Sequence, residues 1–333
     1  MQILVVGAGA VGQTYGYHLQ RGGAELSFFV RDKYADDVRA GFTLYPLNGG
    51  DPVRLDGARP VTTAAEVAQV QWDQVWLAVS SPALRGQWLA DLLAAAPGAV
   101  VVLLTPGSDD VELLQQYIHG ERLVRGMISL IAYQAPLPGE TRFADPGLAF
   151  WFPPRGPSPF SGQRAGEVVA ALTAGGQPAK VTADVSASAN QGSAMLMPIL
   201  LGLEGAGWIW ANFRAGDRLS RAAAGAREAM VIAARVHGGS PPRARFALRP
   251  LALRVLLWLA PKVLPLDIEV YLAYHFVKVG HQTRVHVRQY ITAGRDKGLP
   301  TTALEALLAG VHDDAGDATA VAASVLARRS GLG

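Results

Sequence analysis

The chain has 333 residues, of which 50% are hydrophobic and 17% charged, so it is typical of a globular protein with room for two domains. The formal net charge is only +3, and no basic run with interleaved aromatic residues accompanies it, which argues against a nucleic-acid partner. The absence of cysteine excludes disulfides, thiolate catalysis and zinc–cysteine sites, and it favours a cytoplasmic location.

The first predicted element is an apolar strand over residues 3–6 that leads directly into a glycine-rich loop and then a helical pattern. Strand, glycines and helix in this order are typical of a dinucleotide-binding turn, with an ordinary strand–turn–helix unit as the alternative. Gly7 would form the tight turn, Gly9 would let the backbone approach a pyrophosphate, and Gly12 would let the helix pack against the strand. The N–H groups at the helix start would then bind the anion. The residues predicted to contact the dinucleotide are Gly7, Ala8, Gly9, Ala10, Val11 and Gly12.

The second predicted strand, residues 25–30, ends in Arg31-Asp32-Lys33. At this position an NAD site presents a carboxylate to the adenine ribose, whereas an NADP site presents arginine to the 2′-phosphate. A guanidinium binds phosphate through two hydrogen bonds and a nearby lysine adds charge, so Arg31 and Lys33 favour NADP(H). Asp32 keeps NAD open, because a shift of one residue would make it the ribose ligand.

The first half of the chain continues as alternating strands and helices, which predicts an α/β, Rossmann-type doubly wound parallel sheet. Residues 75–79 and 100–104 are continuous apolar runs, the pattern of strands buried on both faces. Strand patterns then fade and helical patterns take over. We therefore predict an NADP-binding Rossmann domain over residues 1–183 and an all-α substrate and dimerisation domain over residues 184–333. The predicted helices of the second domain cover residues 187–209, 218–236, 268–291 and 301–311, with a fraying tail from Asp314.

One strongly apolar segment, residues 249–266, raises the question of membrane insertion. Arg254 and Lys262 interrupt it and three prolines divide it, so it falls short of the roughly 18 uninterrupted apolar residues of a membrane-spanning helix. We expect a buried or groove-lining helix and no membrane contact. The alternative is an amphipathic helix at a membrane surface, assisted by neighbouring arginines. These arginines are Arg243, Arg245 and Arg249.

Taken together, the sequence resembles the ketopantoate reductase family over most of its length. The resemblance rests on the Gly7–Gly12 loop with Arg31, a hairpin-like stretch at residues 126–147, Met197-Pro198-Ile199 in a long helix, the Arg227-Glu228 helix and the closing Gly298-Leu-Pro-Thr301. It implies an NADPH-dependent enzyme with a Rossmann domain, a helical second domain, a substrate cleft between them and a homodimer. Matched to the family's cofactor positions, Ser80 and Pro106 complete the predicted cofactor site.

The residues that carry catalysis in this family are not matched here. The family's catalytic lysine and two asparagines, four residues apart on one helix, fall on Ala189, Ser193 and Met197, and its substrate-binding glutamate falls on or beside Gln282. No lysine lies between residues 180 and 262, so a small shift of the alignment cannot restore the lysine. Because carbonyl reduction needs a proton donor for the developing alkoxide, we expect a substrate other than ketopantoate.

A polar cluster closer to the C-terminus is a candidate replacement. His275, Lys278 and Gln282 are spaced three and four residues apart, so they share one helix face, and Arg284 follows. We predict Lys278 or His275 as the proton donor and Gln282 with Arg284 as substrate ligands. A solvated basic helix face or a dimer contact is the alternative.

These observations predict an NADPH-dependent oxidoreductase that reduces the carbonyl of a 2-keto acid or a larger ketone. The stretch over residues 241–266 would lid the cleft and favour an apolar substrate. An opine-type imine reductase, or an NADP-binding sensor or scaffold protein without hydride chemistry, is the alternative. We expect a small-molecule carbonyl substrate, a homodimer, no metal and no nucleic-acid partner.

Overall fold

The computed structural model describes residues 1–105, 108–154, 156–311 and 317–329. Pro106, a predicted cofactor contact, lies outside the described residues. The chain divides into two compact units, the first containing Met1–Ala135 and Asp145–Ala189, the second Pro136–Ala144 and Asn190–Gly333. The division falls after residue 189, six residues beyond the predicted boundary.

The predicted doubly wound parallel sheet is confirmed in the first unit. The described strands are β1 (Gln2–Val6), β2 (Glu25–Phe29), β3 (Phe42–Pro46), β4 (Val53–Leu55), β5 (Arg59–Val61), β6 (Gln74–Leu77), β7 (Val100–Leu103), β8 (Leu123–Gly126), β9 (Ile131–Ala135), β10 (Gly147–Trp151), β11 (Ser158–Ser161) and β12 (Ala179–Val181). The main sheet has the order β12-β11-β8-β7-β6-β1-β2-β5, and its pairs are parallel except β11–β8.

The central strands of the main sheet are apolar because helices cover both faces. All residues of β6 and β7 are buried, as the continuous apolar runs predicted. One core side contains Trp76 and Phe28, and the other contains Leu77 and Leu103. The helices of this unit are α1 (Ala10–Arg21), α2 (Ala35–Ala40), α3 (Ala64–Val67), α4 (Trp88–Ala95), α5 (Ser108–Gln115) and α6 (Ala165–Ala174).

A smaller sheet, which we did not predict, has the order β4-β3-β10-β9. The strands β9 and β10 pair antiparallel, consistent with the predicted hairpin-like stretch. On its other side β10 pairs with β3 in parallel. This pairing joins segments about a hundred residues apart in the chain, so local sequence patterns carry little information about it.

The second unit is helical. Its helices are α7 (Val185–Glu204), which begins in the first unit, and then α8 (Trp210–Arg214), α9 (Arg218–Val236), α10 (Pro250–Val263), α11 (Ile268–Asp296), α12 (Thr302–Ala309) and α13 (Ala318–Arg329). The helix α9 has the predicted bounds. The predicted fraying of the tail is wrong for α13, because Ala322 and Val325 of this helix are buried.

The prediction that the apolar segment forms a buried helix is also wrong. The segment does form α10, but Leu253 is its one buried residue, whereas Leu251 is 73% and Trp258 57% exposed. Hydrophobicity predicts burial only where another element is available to cover the residue, and α10 packs on α9 along a narrow line. None of the described helices is long and apolar enough to cross a membrane.

Candidate functional site

The glycine loop after β1 has backbone geometry that other residues cannot adopt. Gly7 has φ +92°, and a Cβ there would lie 2.9 Å from Val79 Cγ1. A Cβ on Gly12 would lie 2.0 Å from the Gly7 carbonyl oxygen, which is far inside van der Waals contact. A Cβ on Gly9 would meet no described atom within 4 Å, so Gly9 borders open space. Two glycines are thus required by the fold, and the third leaves room for a ligand.

The start of α1 has the features of a helix end that can bind an anion. Gly9 is the N-cap in an extended conformation and has no side chain with which to cap the first turn, which also carries no acidic residue. The Gln13 amide donates to the Ala8 carbonyl at 2.7 Å, and Thr14 Oγ1 donates to the Ala10 carbonyl at 2.8 Å. These two side chains of α1 therefore hold the backbone of the loop and of the first helical turn in place. Free N–H groups and the helix dipole at such an end favour phosphate. These features fit the pyrophosphate of a dinucleotide.

Two cationic side chains lie close to one aromatic ring just after β2. Arg31 Nη2 donates to the Tyr34 hydroxyl at 3.1 Å, and its guanidinium carbon lies 5.1 Å from the ring centroid. Lys33 Nζ lies 4.9 Å from the same centroid. Asp32 begins the short 3₁₀ turn that carries these residues, and all four are exposed. The arrangement presents two positive charges to solvent beside a planar ring, which suits a nucleotide phosphate.

A polar group that the sequence analysis missed lies where β6 ends. Ser80, a predicted cofactor contact, is exposed there and precedes a 3₁₀ turn. Ser81 Oγ donates to Asp110 Oδ1 at 2.7 Å, and Arg85 forms an ion pair with the same carboxylate. Asp110 is buried in the first turn of α5. The partners are 25 to 29 residues apart, so only the folded sheet brings them together.

The residues of the predicted catalytic cluster on α11 have different surroundings. The ring of His275 stacks on Tyr271 at 5.4 Å and meets Phe276 edge-on at 4.8 Å, while Gln282 is exposed about 10 Å farther along the helix axis. Arg284 is 2% exposed and forms an ion pair with Glu204 of α7. Lys278 lies within α11, but its side chain is outside the described part of the structure.

A second polar cluster in the helical unit contains Asn190, Ser193, His237 and Tyr290, and we call it the α7 polar cluster. Asn190 Nδ2 lies 2.9 Å from His237 Nε2, and Ser193 hydrogen-bonds the Tyr290 hydroxyl. The sequence provides one indication of this cluster, because Ser193 matches a catalytic position of the family that the sequence resembles. Its partner Tyr290 is 97 residues away, so the pair could not be found from spacing.

Burial and a hydrogen bond act in opposite directions on the tyrosine of the α7 polar cluster. Burial raises the pKa of Tyr290 above its ordinary value, and the hydrogen bond with Ser193 lowers it in part. Burial also lowers the pKa of His286, one helical turn before Tyr290 on α11.

Comparison with known proteins gives one family match and many similar folds. Residues 3–155 match the family described as "Ketopantoate reductase PanE/ApbA". No curated protein matches the chain. Because the solved structures below share less than 25% identity with the chain, they establish the fold and not the activity.

Among the solved structures, a ternary complex of D-mandelate dehydrogenase with NADH and anilino(oxo)acetate has a TM-score of 0.69 at 14% identity, over 98% of this chain and 99% of that one. The 2-dehydropantoate 2-reductase of Geobacter metallireducens GS-15 has a TM-score of 0.65 at 17% identity, over 93% and 99%. A PanE/ApbA family ketopantoate reductase of Ralstonia eutropha JMP134 has a TM-score of 0.65 at 19% identity, over 98% and 100%. These proteins are named as oxidoreductases.

Proposed function

Because residues 3–155 match the ketopantoate reductase PanE/ApbA family, we propose that the chain is an NADPH-dependent reductase of a 2-keto acid other than ketopantoate. The observation that carries the proposal is the glycine loop, whose Gly9 borders open space at the positive end of α1. The start of α1 would hold the pyrophosphate through backbone N–H groups. The bound cofactor would supply the hydride.

NADPH is preferred over NADH because of the residues that follow β2. Arg31 and Lys33 would pair with the 2′-phosphate, and the neighbouring Tyr34 ring would lie close to the adenosine. Asp32 supports the opposite choice, and the dehydrogenase of similar fold was solved with NADH. Two cations against one carboxylate favour the phosphate, and Ser80 would contact the cofactor at the neighbouring strand end.

A 2-keto acid other than ketopantoate follows from what α7 contains. The helix has no lysine and no other charged residue before Glu204, so the family's ammonium donor is missing. The D-mandelate dehydrogenase of similar fold binds anilino(oxo)acetate, a 2-oxo acid derivative with an aromatic ring. A bulky apolar 2-keto acid is therefore the class that we propose.

Two groups are candidates for protonating the alkoxide that forms as the carbonyl is reduced. Tyr290 is the group that the geometry favours, because its phenolic O–H can donate a proton and its hydrogen bond with Ser193 fixes the hydroxyl in position. His275 is the sequence-based alternative, together with Lys278 on the same helix face. Gln282 is exposed and would bind substrate, whereas the ion pair of Arg284 with Glu204 suggests a structural role.

The test combines binding and turnover. NADPH and NADH binding would be titrated by fluorescence on the wild type, on the double variant Arg31→Gln/Lys33→Gln and on the exposed control Arg59→Gln. We expect the double variant to lose about 10- to 100-fold in NADPH affinity and little in NADH affinity, as for the loss of a charge-assisted phosphate contact. An equal loss for both cofactors would contradict the NADP assignment.

Turnover would be followed by NADPH absorbance with ketopantoate, pyruvate and phenylglyoxylate. We expect the aromatic 2-keto acid to be consumed fastest. Rapid consumption of ketopantoate would overturn the substrate proposal. NADPH binding without consumption of any 2-keto acid would favour a sensor or scaffold protein, and consumption only in mixtures of ketone and amine would favour imine reduction.

A further inference from the structure

The helix α10 presents an apolar face to solvent. This face, which we call the α10 face, consists of Leu251, Val255, Leu256, Trp258, Leu259 and Val263, with exposures from 43% to 73%. At 100° per residue these six positions lie within an arc of about 160° on the side away from the buried Leu253. Phe246, just before α10, adds a further exposed ring. A contiguous apolar patch of this kind marks an interaction surface.

The segment around α10 carries positive charge only. Residues 229–266 contain six arginines and lysines and no aspartate or glutamate, although the whole chain is nearly balanced, with 30 basic and 27 acidic residues. The basic residues at or just before α10 are Arg243, Arg245, Arg249, Arg254 and Lys262. All of these except Arg245 are classed as exposed. The α10 face is therefore accompanied by cations without compensating anions in the same segment.

The cations lie against the apolar rings. Lys262 Nζ is 3.3 Å from the Trp258 ring centroid, and the Arg245 guanidinium carbon is 4.4 Å from the Phe246 centroid. Long basic side chains whose stems follow apolar surface, beside an exposed tryptophan, are typical of helices at a membrane surface. At 14 residues α10 is about 21 Å long, which suits a helix lying in the interface plane and not one crossing it.

We propose that the α10 face docks on the surface of an anionic phospholipid bilayer. The positive charge of the segment favours the bilayer over a second copy of the chain as the binding partner. Two copies joined through the α10 face would bring like-charged segments together, whereas anionic headgroups would neutralise them. The inference does not depend on the proposed function, since it concerns attachment and not chemistry.

The experiment is sedimentation of the full chain with vesicles. Vesicles of phosphatidylcholine alone are compared with vesicles in which a third of the lipid is phosphatidylglycerol. We expect binding to the anionic vesicles at about 0.1 M salt and its loss at about 1 M salt, where the Debye length falls to about 3 Å. Equal binding to both vesicle types, or none to either, would overturn the proposal.

Variants locate the contact. Trp258→Ser is matched to Val181→Ser, because both side chains are 57% exposed and Val181 lies in the other unit. We expect Trp258→Ser to reduce vesicle binding at least tenfold, with Val181→Ser unchanged. Arg249→Gln should reduce it about fivefold, against no change for Arg59→Gln.

Both α10 variants replace exposed residues, so circular dichroism should show an unchanged fold. Two results would overturn the proposal. One is vesicle binding that the α10 variants leave intact. The other is a wild type that sediments as a dimer without lipid and becomes monomeric on Trp258→Ser, which would assign the α10 face to a second copy.

Discussion

The two units build their polar sites in opposite ways. In the first unit the candidate site is made of backbone: Gly7, Gly9 and Gly12 shape the loop that leads into the start of α1. In the second unit the site is side chains: Ser193 of α7 meets Tyr290 of α11, and Asn190 meets His237. The backbone site tolerates almost no substitution, because a Cβ on Gly12 collides with main chain. The side-chain site can exchange its members without moving a helix.

This difference would allow a chain to keep its cofactor loop while its catalytic side chains change. A cofactor loop is under a steric constraint, since a side chain at Gly7 or Gly12 would disturb the turn and one at Gly9 would obstruct the ligand. Proton donors and substrate ligands are under a chemical constraint only, and several residue types satisfy it. The proposed cofactor therefore rests on backbone geometry, whereas the proposed substrate rests on the side chains.

The largest expected effect tests the side-chain site. Tyr290→Phe removes the phenolic proton and leaves the ring, so we expect kcat with the best 2-keto acid to fall about 10²- to 10⁴-fold, the usual contribution of a general acid. NADPH affinity and the thermal midpoint should remain close to those of the wild type. His275→Gln should change kcat far less. The reverse ranking would assign the proton donor to His275.

The second prediction tests whether Arg284 stabilises the fold. Arg284→Met removes the buried guanidinium from the ion pair with Glu204, and we expect a loss of about 3 kcal/mol in the free energy of unfolding, measured by urea denaturation. The double variant Arg284→Met/Glu204→Gln should recover part of it. A stable Arg284→Met protein with a raised KM would instead support the sequence-based assignment of Arg284 to the substrate.

The third prediction, with a smaller expected effect, tests the glycine loop of the first unit. Gly9→Ala adds a methyl group that meets no described atom, so the thermal midpoint should not change, but the methyl enters the space proposed for the pyrophosphate. We expect NADPH affinity to fall about 100-fold, equivalent to one or two charge-assisted hydrogen bonds. Gly98→Ala, which also adds a methyl in open space, is the matched control. Unchanged NADPH affinity in Gly9→Ala would contradict the loop assignment.

The smallest effect concerns stability of the first unit below neutral pH. His18 Nδ1 donates to the Gly175 carbonyl at 2.9 Å, and no described atom is a hydrogen-bond partner for its buried Nε2. Burial lowers the pKa of His18 below its ordinary value of 6.5, so the unfolded chain takes up a proton first as pH falls. Stability contributed by neutral His18 is thus present above pH 6.5 and is lost below it.

We therefore expect the thermal midpoint of the wild type to fall between about pH 7.5 and about pH 5.5. The His18→Asn variant retains a donor for Gly175 and cannot be protonated, so its midpoint should fall less over the same range. Equal slopes in the two proteins would exclude His18 as the group responsible.

The sequence alone determined those features that depend on residues close together in the chain. The glycine loop, the apolar strands β6 and β7 and the bounds of α9 follow from patterns within a few residues, because turn sterics, strand burial and helix periodicity are local. The same is true of Arg31 and Lys33, which are placed by the strand that precedes them.

The tertiary structure decided what depends on distant partners. It paired Ser193 with Tyr290, engaged Arg284 with Glu204 and joined Ser81 to Asp110 across separate elements. It also left α10 uncovered, although its hydrophobicity predicted burial. Hydrophobicity and charge specify what a residue can contact, but the contact itself is made by an element elsewhere in the chain, and no local pattern specifies its position.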